Sequence, residues 1–352
     1  MKKLGIGIIG CGNISDIYLK NLSTVFTSVE LVACADLVEE KAKEKSEQYH
    51  IKYLTVDELL SSDEIDIVLN ITIPLAHKEV CEKVLLAGKH VYVEKPLSLN
   101  TEDGKYLLDL AKEKGLLIGG APDTFLGGGI QTCIKLIEDD WIGDILGVNA
   151  FVTCHGHESW HPDPEFYYKA GGGPMFDVGP YYLTALAKLV GPIEQVAGLS
   201  KKTFESRTIT SEKKFGQEIQ VDVPTHLVSL LKFENGAIGQ LTTSFDVWDA
   251  ELPFIEIYGT KGTISVPDPN TFGGPIRLKT INSDGFKEVP SAFAYTENSR
   301  GLGIVNMAKA IEENNEAIFQ ASGALTYHVL EVMEAIHDSN DTLSFIPIKS
   351  KF

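Results

Sequence analysis

Long apolar runs are missing from this sequence: nothing approaches the ~18 consecutive apolar residues of a membrane span. The apolar stretch at the N-terminus stops at the glycines after Ile9, too short for a secretory signal and without a cleavage site. A cytoplasmic location with no membrane partner is the expectation. Cysteine is sparse. Cys11, Cys34, Cys81, Cys133 and Cys154 are odd in number, scattered and without metal-type spacing, so neither a disulfide framework nor a cysteine metal site is expected. Basic charge is short as well: 31 Lys and Arg stand against 49 Asp and Glu, a formal net charge of −18. With no local Lys/Arg cluster to offset it, that balance excludes a nucleic-acid partner. A small ligand is not excluded, because a site can be locally positive on an acidic protein. There is no internal repeat and no low-complexity segment.

What is present fits two domains, since 352 residues exceed the roughly 150 expected of one. The first third alternates strand and helix signals, the pattern of a parallel sheet covered by helices. Strands are predicted at 4–9, 30–35, 66–71, 90–93 and 116–119, with helices near 14–23, 38–48, 75–87 and 101–114. Gly88 and Gly115 fall just past two helix ends, where a left-handed residue is wanted. Thr101, with Glu102 and Asp103 behind it, is read as opening the last of these helices with a capping side chain and first-turn acids.

After about residue 125 the texture changes. A helix at 128–139, a strand at 145–154 and an aromatic loop to about 170 precede a helix over Asp177–Leu189, with Leu183, Leu186 and Leu189 on one side. From Thr225 to Leu278 the signals are hairpin-like, with turns at Glu234-Asn235-Gly236 and Thr260-Lys261-Gly262. Helices near 302–319 and 323–339 close the chain. The fold class is therefore an α/β Rossmann domain followed by an α+β domain on an open, mainly antiparallel sheet. The boundary is placed at 1–124 and 125–352, with the last helices free to pack back on the first domain. Leu227, Leu231, Ile238 and Phe254 are expected to leave one sheet face needing a partner, which implies a homodimer or homotetramer.

The strongest local signal is Gly10-Cys11-Gly12-Asn13-Ile14-Ser15, directly after the strand Ile6–Ile9. Gly10 permits the tight turn, and Gly12 lets the backbone approach a pyrophosphate stabilised by the helix N-terminus. Ser15 stands where a third Gly or Ala is usual and is small enough for close packing. The next strand ends in Asp36, where a carboxylate would hold the ribose hydroxyls. Asp36, with Glu39 and Glu40 nearby and no Arg, disfavours a 2′-phosphate, so NAD is preferred to NADP.

Three motifs in order, GIIGCGNIS at 7–15, Glu94-Lys95-Pro96 and GGGPMFDVG at 171–179, make the chain resemble the glucose–fructose oxidoreductase, inositol dehydrogenase and MocA family. Asn70-Ile71-Thr72-Ile73-Pro74 with His77 also resembles that family's cofactor-side loop. The resemblance implies a nicotinamide-dependent dehydrogenase or reductase acting on a hydroxyl or carbonyl of a sugar, cyclitol or related polyol. It puts Gly10, Gly12, Asn13, Ile14, Asp36, Thr72, Pro74, His77, Glu94 and Lys95 at the cofactor, and Lys95, Asp177 and Tyr181 at the chemistry. Lys95 is the family's lysine, able to donate to a substrate oxygen and stabilise an alkoxide. Many members carry His where this chain has Tyr181, so the histidine role does not transfer directly. Four-residue spacing would place Asp177 and Tyr181 on one helix face. Tyr181 is then the proton-transfer group, tuned by Lys95, and Asp177 orients substrate or Lys95.

Residues 154–168, CHGHESWHPDPEFYY, are expected to choose the substrate. Trp160 and His161 would cover the nicotinamide or a sugar face, and Asp123, His155 and His157 complete the substrate set together with Tyr181. His155, His157 and His161 could alternatively gather around zinc; no metal is expected, because the family's chemistry needs none. Where many relatives have an arginine, Ala121–Phe125 has none, which favours a neutral polyol. Two other classes are an NAD-using glycosidase or lyase with transient redox, and a non-catalytic sugar or nucleotide sensor. The Lys95, Asp177 and Tyr181 set speaks against the sensor.

Overall fold

The computed structural model describes residues 3–352. These divide into two compact units: one comprises the residues up to Leu126 together with Asn298–Leu330 and Phe352, the other Gly127–Glu297 with Glu331–Lys351.

The first unit is built on six parallel strands: β1 (Gly5–Ile9), β2 (Glu30–Ala35), β3 (Lys52–Tyr53), β4 (Ile67–Asn70), β5 (His90–Val93) and β6 (Ile118–Gly120). Their order, 3-2-1-4-5-6, is that of a doubly wound dinucleotide-binding sheet, with the switch point between β1 and β4. Every residue of β1 and β4 is buried, as expected of strands covered on both faces. Helices α1 (Ser15–Thr24), α2 (Glu39–Tyr49), α3 (Val56–Ser61), α4 (His77–Leu86) and α5 (Thr101–Lys114) make the crossovers.

Two details differ from the sequence reading. The short β3 and α3 were not anticipated, although Thr55 and Glu58 form a reciprocal capping box at the start of α3. The cap of α5 is Asn100, not Thr101: its side chain accepts from the Asp103 amide at 2.8 Å. Gly115 does take the left-handed conformation at the other end of α5.

The second unit opens with α6 (Gly128–Glu138) and is organised around a nine-stranded sheet. Its strands are β7 (Ile145–Thr153), β8 (Ile193–Lys201), β11 (His226–Phe233), β12 (Ile238–Ser244), β13 (Ile255–Gly259), β14 (Gly262–Val266), β15 (Ile276–Thr280), β16 (Lys287–Val289) and β17 (Ile346–Pro347). The order is 16-15-14-13-7-12-11-8-17, antiparallel except that β12 pairs parallel with β7. The hairpins over 226–244 and 255–266 form with the expected turns. Between β8 and β11 the chain adds a small antiparallel hairpin, β9 (Ser206–Thr208) and β10 (Glu218–Gln220).

The helix read over Asp177–Leu189 is two helices, α7 (Gly173–Asp177) and α8 (Gly179–Leu189). Pro180 has no amide to bond back to Phe176, so the helical ladder breaks at Val178. Asp177 therefore ends one helix and Tyr181 sits in the first turn of the next. Nor is α8 one-sided: every residue from Gly179 to Ala187 is buried. On the sheet, alternation along β11 buries Leu227 and Leu231 and leaves Val228 and Leu230 outside, so the first two do not belong to the open face; Ile238 and Phe254 do.

Two helices close the chain. α9 (Leu302–Glu312) is shorter than expected, and α10 (Gly323–Thr342) begins in the first unit and ends in the second. No helix among the described residues is long and apolar enough to cross a membrane.

Candidate active site

The turn after β1 takes its shape from Gly10, whose φ of 109° is a region that side chains rarely enter. A Cβ there would lie 2.7 Å from the Ile71 carbonyl oxygen, so this turn abuts the chain leaving β4. Gly12 is different: nothing lies within 4 Å of where its Cβ would be. That open space, beside the N-terminus of α1, is what a pyrophosphate needs. Ile14, the residue before α1, provides no side-chain cap, so the first-turn amides of α1 are not closed off by it. Asn13 lies in the same turn, and Ser15 donates to the Gly12 carbonyl at 2.6 Å. Asp36 reaches in from the end of β2. Its Oδ2 accepts from the Cys11 amide at 2.6 Å and its Oδ1 from the Val38 amide at 2.8 Å. A carboxylate has about four acceptor sites, so capacity remains for a ribose diol.

The loops after β4 and β5 are tied together. Buried Asn70 accepts from the Thr72 hydroxyl at 2.7 Å and donates to the His77 carbonyl at 3.2 Å. The His77 ring is buried, with Nδ1 2.7 Å from the Pro96 carbonyl and Nε2 3.1 Å from the Thr72 carbonyl; burial lowers its pKa. His77 thus clamps the Thr72–Pro74 loop to the Lys95–Pro96 loop. Pro74 opens a single 3₁₀ turn beside it. Glu94 is nine-tenths buried, accepting from the Tyr18 hydroxyl at 2.7 Å and from the Lys95 amide at 2.9 Å. Asp123, named above for substrate, has Oδ2 on the amides of Gly301 and Gly303 at 2.9 and 3.0 Å, where α9 begins. Complete burial pushes its carboxyl up to about 6, against the pull of those amides and of Arg300.

The remaining candidates lie in the second unit. His157 Nε2 stands 3.2 Å from Asp177 Oδ2. The His157 ring packs edge-on against Trp160 and Phe245 and tilts against Tyr167, with centroids 5.3, 4.6 and 4.0 Å away. His155 points elsewhere, stacking on exposed Trp248 at 3.4 Å. His161 Nδ1 accepts from the Asp163 amide at 3.0 Å, and burial lowers its pKa. The three histidines thus have three different partners, and among the described residues no group of His, Cys, Asp and Glu is arranged to hold a metal ion. Trp160 is largely exposed, whereas Tyr181 is buried in α8.

Two contributors, Tyr18 and Arg207, escaped the sequence reading, and Asn70 entered it only as part of the loop motif. Asn70 and Tyr18 anchor the loop and Glu94, and Arg207 is buried on β9. Arg207 pairs with Glu158 at 2.7 Å and with Asp246, and donates to the Phe245 carbonyl at 2.9 Å. Tyr168 donates its hydroxyl to the same Glu158.

Comparison with known proteins agrees with both units. Residues 4–120 match the profile described as an oxidoreductase family with an NAD-binding Rossmann fold, and residues 130–265 match the GFO/IDH/MocA C-terminal domain. The chain belongs to the Gfo/Idh/MocA oxidoreductase family. It is an oxidoreductase, and its first domain binds NAD. The myo-inositol 2-dehydrogenase of Thermotoga maritima is 25% identical over 263 residues, 74% of either chain. The dTDP-3,4-didehydro-2,6-dideoxy-alpha-D-glucose 3-reductase of Streptomyces violaceoruber is 31% identical over 204 residues, 56% of this chain and 58% of that one. Among solved structures, a levoglucosan dehydrogenase in complex with NADH and L-sorbose superposes with a TM-score of 0.83 at 22% identity, over 99% of this chain and all of that one. This last likeness is one of fold.

Proposed function

We propose that this oxidoreductase moves a hydride between NAD and a secondary hydroxyl of a neutral sugar or cyclitol. The observation that carries the substrate class is the Asp177–His157 pair beside the exposed ring of Trp160. A carboxylate and an imidazole can hold hydroxyls, and an indole face suits the C–H surface of a pyranose or cyclitol ring. The name of one relative, an inositol dehydrogenase, points the same way, and that of another, a reductase of a dTDP-linked dideoxyglucose, supports a sugar ring without supporting its neutrality.

NAD, when bound, would supply the hydride acceptor for the carbinol carbon. Gly10, Gly12, Asn13 and Ile14 would hold its pyrophosphate and Asp36 its adenosine ribose, with Thr72, Pro74, His77, Glu94 and Lys95 on the cofactor side. Lys95 supplies the cation that stabilises the alkoxide, Tyr181 takes the hydroxyl proton, and Asp177 orients the substrate. The alcohol loses a hydride and a proton and becomes a carbonyl. A screen of NAD reduction over inositols, aldoses and sugar acids tests the substrate class: turnover of neutral polyols is expected, and activity confined to sugar acids would overturn it. Tyr181→Phe should lower kcat by about 10²-fold or more, the usual worth of a general base; full turnover by that variant would remove Tyr181 from the mechanism. Asp36 would repel a 2′-phosphate, so calorimetry should show NAD binding at least about tenfold tighter than NADP, the equivalent of ~1.4 kcal/mol.

The exposed side of the nine-stranded sheet carries Leu146, Leu230, Ile238 and Phe345 around a shallow groove. We read it as the surface through which copies of the chain associate, as a homodimer or homotetramer.

A further inference from the structure

We propose that His157 is a positioning residue for Asp177: its Nε2–H holds the carboxylate in the orientation the substrate meets. The proposal rests on the reading of Asp177 as a substrate-orienting group. It does not rest on where Tyr181 sits, because the imidazole comes from a separate loop.

Burial decides which partner faces outward. The side chain of Asp177 is 19% exposed and that of His157 10%, so the carboxylate is the more open of the two and the imidazole the support. The ring has little freedom. Tyr167, Phe245 and Trp160 confine it on three sides. Its backbone is held too: the His157 amide donates to the Tyr168 hydroxyl at 3.3 Å, and the His161 amide donates to the His157 carbonyl at 2.9 Å.

The next residue explains why this loop stands so firmly. Glu158 accepts from Arg207 and from Tyr168 through its side chain, and from the amides of Thr210 and Ser211, each at 2.9 Å, through its carbonyl. The Ser211 hydroxyl donates to the His161 carbonyl at 2.8 Å. The hairpin segment 206–220 therefore grips the chain at Glu158 and His161, just after His157. A buried ion-pair network with its hydrogen bonds made gives geometric definition more than stability, and definition is what a positioning group needs.

The role belongs to one atom, which makes it separable from packing. His157→Phe keeps a ring between Tyr167 and Phe245 but removes the donor. His157→Gln places an amide nitrogen close to the Nε2 position. Both variants are made in the full chain, with thermal unfolding as the control for folding. With NAD and myo-inositol, glucose and levoglucosan as probes, His157→Phe should lower kcat on the order of 10²-fold, the cost of a misplaced positioning group, with KM for NAD unchanged. His157→Gln should recover most of that loss. Equal loss in both variants, or none in His157→Phe, would overturn the proposal.

A second measurement needs no substrate. In protein labelled with ¹⁵N-histidine, Nε2 of His157 should show the protonated signature, and Asp177→Asn should shift it. An unmoved resonance would also overturn the proposal. If none of the probes is turned over, the substrate reading fails and the ring-nitrogen measurement alone decides the fate of the His157–Asp177 pair.

Discussion

Gly10 and Gly12 stand two residues apart and do opposite jobs. At Gly10 a Cβ would collide with the chain leaving β4 and the backbone is left-handed. Gly10→Ala should therefore cost stability, about 1–2 kcal/mol for the conformation alone. At Gly12 the space is open, so Gly12→Ala should leave the melting temperature where it is and weaken NAD binding. Calorimetry and thermal unfolding on the two variants read the contrast directly. Equal melting temperatures for Gly10→Ala and the parent would contradict this account of the turn. Asp123 makes a different kind of prediction. A buried carboxyl raised to about 6 takes up protons on folding between its unfolded pKa of ~3.9 and that value. Stability from this group is present in full below ~4 and is lost as pH rises through 6, by up to about 3 kcal/mol. Asp123→Asn, which keeps an oxygen for the Gly301 and Gly303 amides, should flatten that slope in denaturant titrations across pH 4 to 7. At this scale the sequence was legible where chemistry is local. Gly10, Gly12 and Asp36 fall within 27 residues and read as one site. The Asp123 partners lie 178 and 180 residues away, a distance no local pattern spans.

Elements were legible where a period repeats and illegible where a single residue interrupts it. Strand β1 and the hairpin of β11 and β12 announce themselves by apolar runs and an Asn-Gly turn. The run from Gly173 to Leu189 is largely apolar, with Asp177, Thr184 and Lys188 the exceptions, and the reading passed over Pro180, which divides it. The hairpin of β9 and β10 is shorter still, three residues a side, and its importance comes from Arg207, whose partners Glu158 and Asp246 stand 49 and 39 residues off in sequence. Replacing Arg207 with Met should leave two carboxylates buried without their cation, which typically costs about 3–5 kcal/mol. Hydrogen exchange should then rise over residues 154–168 while β1 and β4 stay protected. Uniform deprotection of both units would show that this network stabilises the whole chain instead of one loop.

Taken as a whole, the molecule pairs a sheet buried on both faces with a larger one that leaves a face outside. Ile238 is 66% exposed and Leu230 52% exposed, and both line the same groove. Charges placed there, as in Ile238→Asp with Leu230→Lys, should dissociate the assembly in sedimentation experiments while leaving each chain folded. A monomeric parent protein would dispose of that expectation. The sequence read the presence of an open sheet correctly and assigned half of its outer residues to the wrong side, because a hairpin's turn fixes the pairing but not which face the helices cover.

The return of residues 298–330 to the first unit has a consequence in time. Asp123 waits for Gly301 and Gly303, Gly120 for the Ala321 carbonyl, and the Asn21 amide for the carbonyls of Asn298 and Arg300. None of these exists when Leu126 leaves the ribosome. At about 5–20 residues per second, synthesis of the intervening segment takes roughly ten to forty seconds. Throughout that interval the nascent NAD-binding sheet carries an uncovered β6 edge and a carboxylate without its amides. The edge strand is where a chaperone would be needed, and where a truncated chain would begin to aggregate.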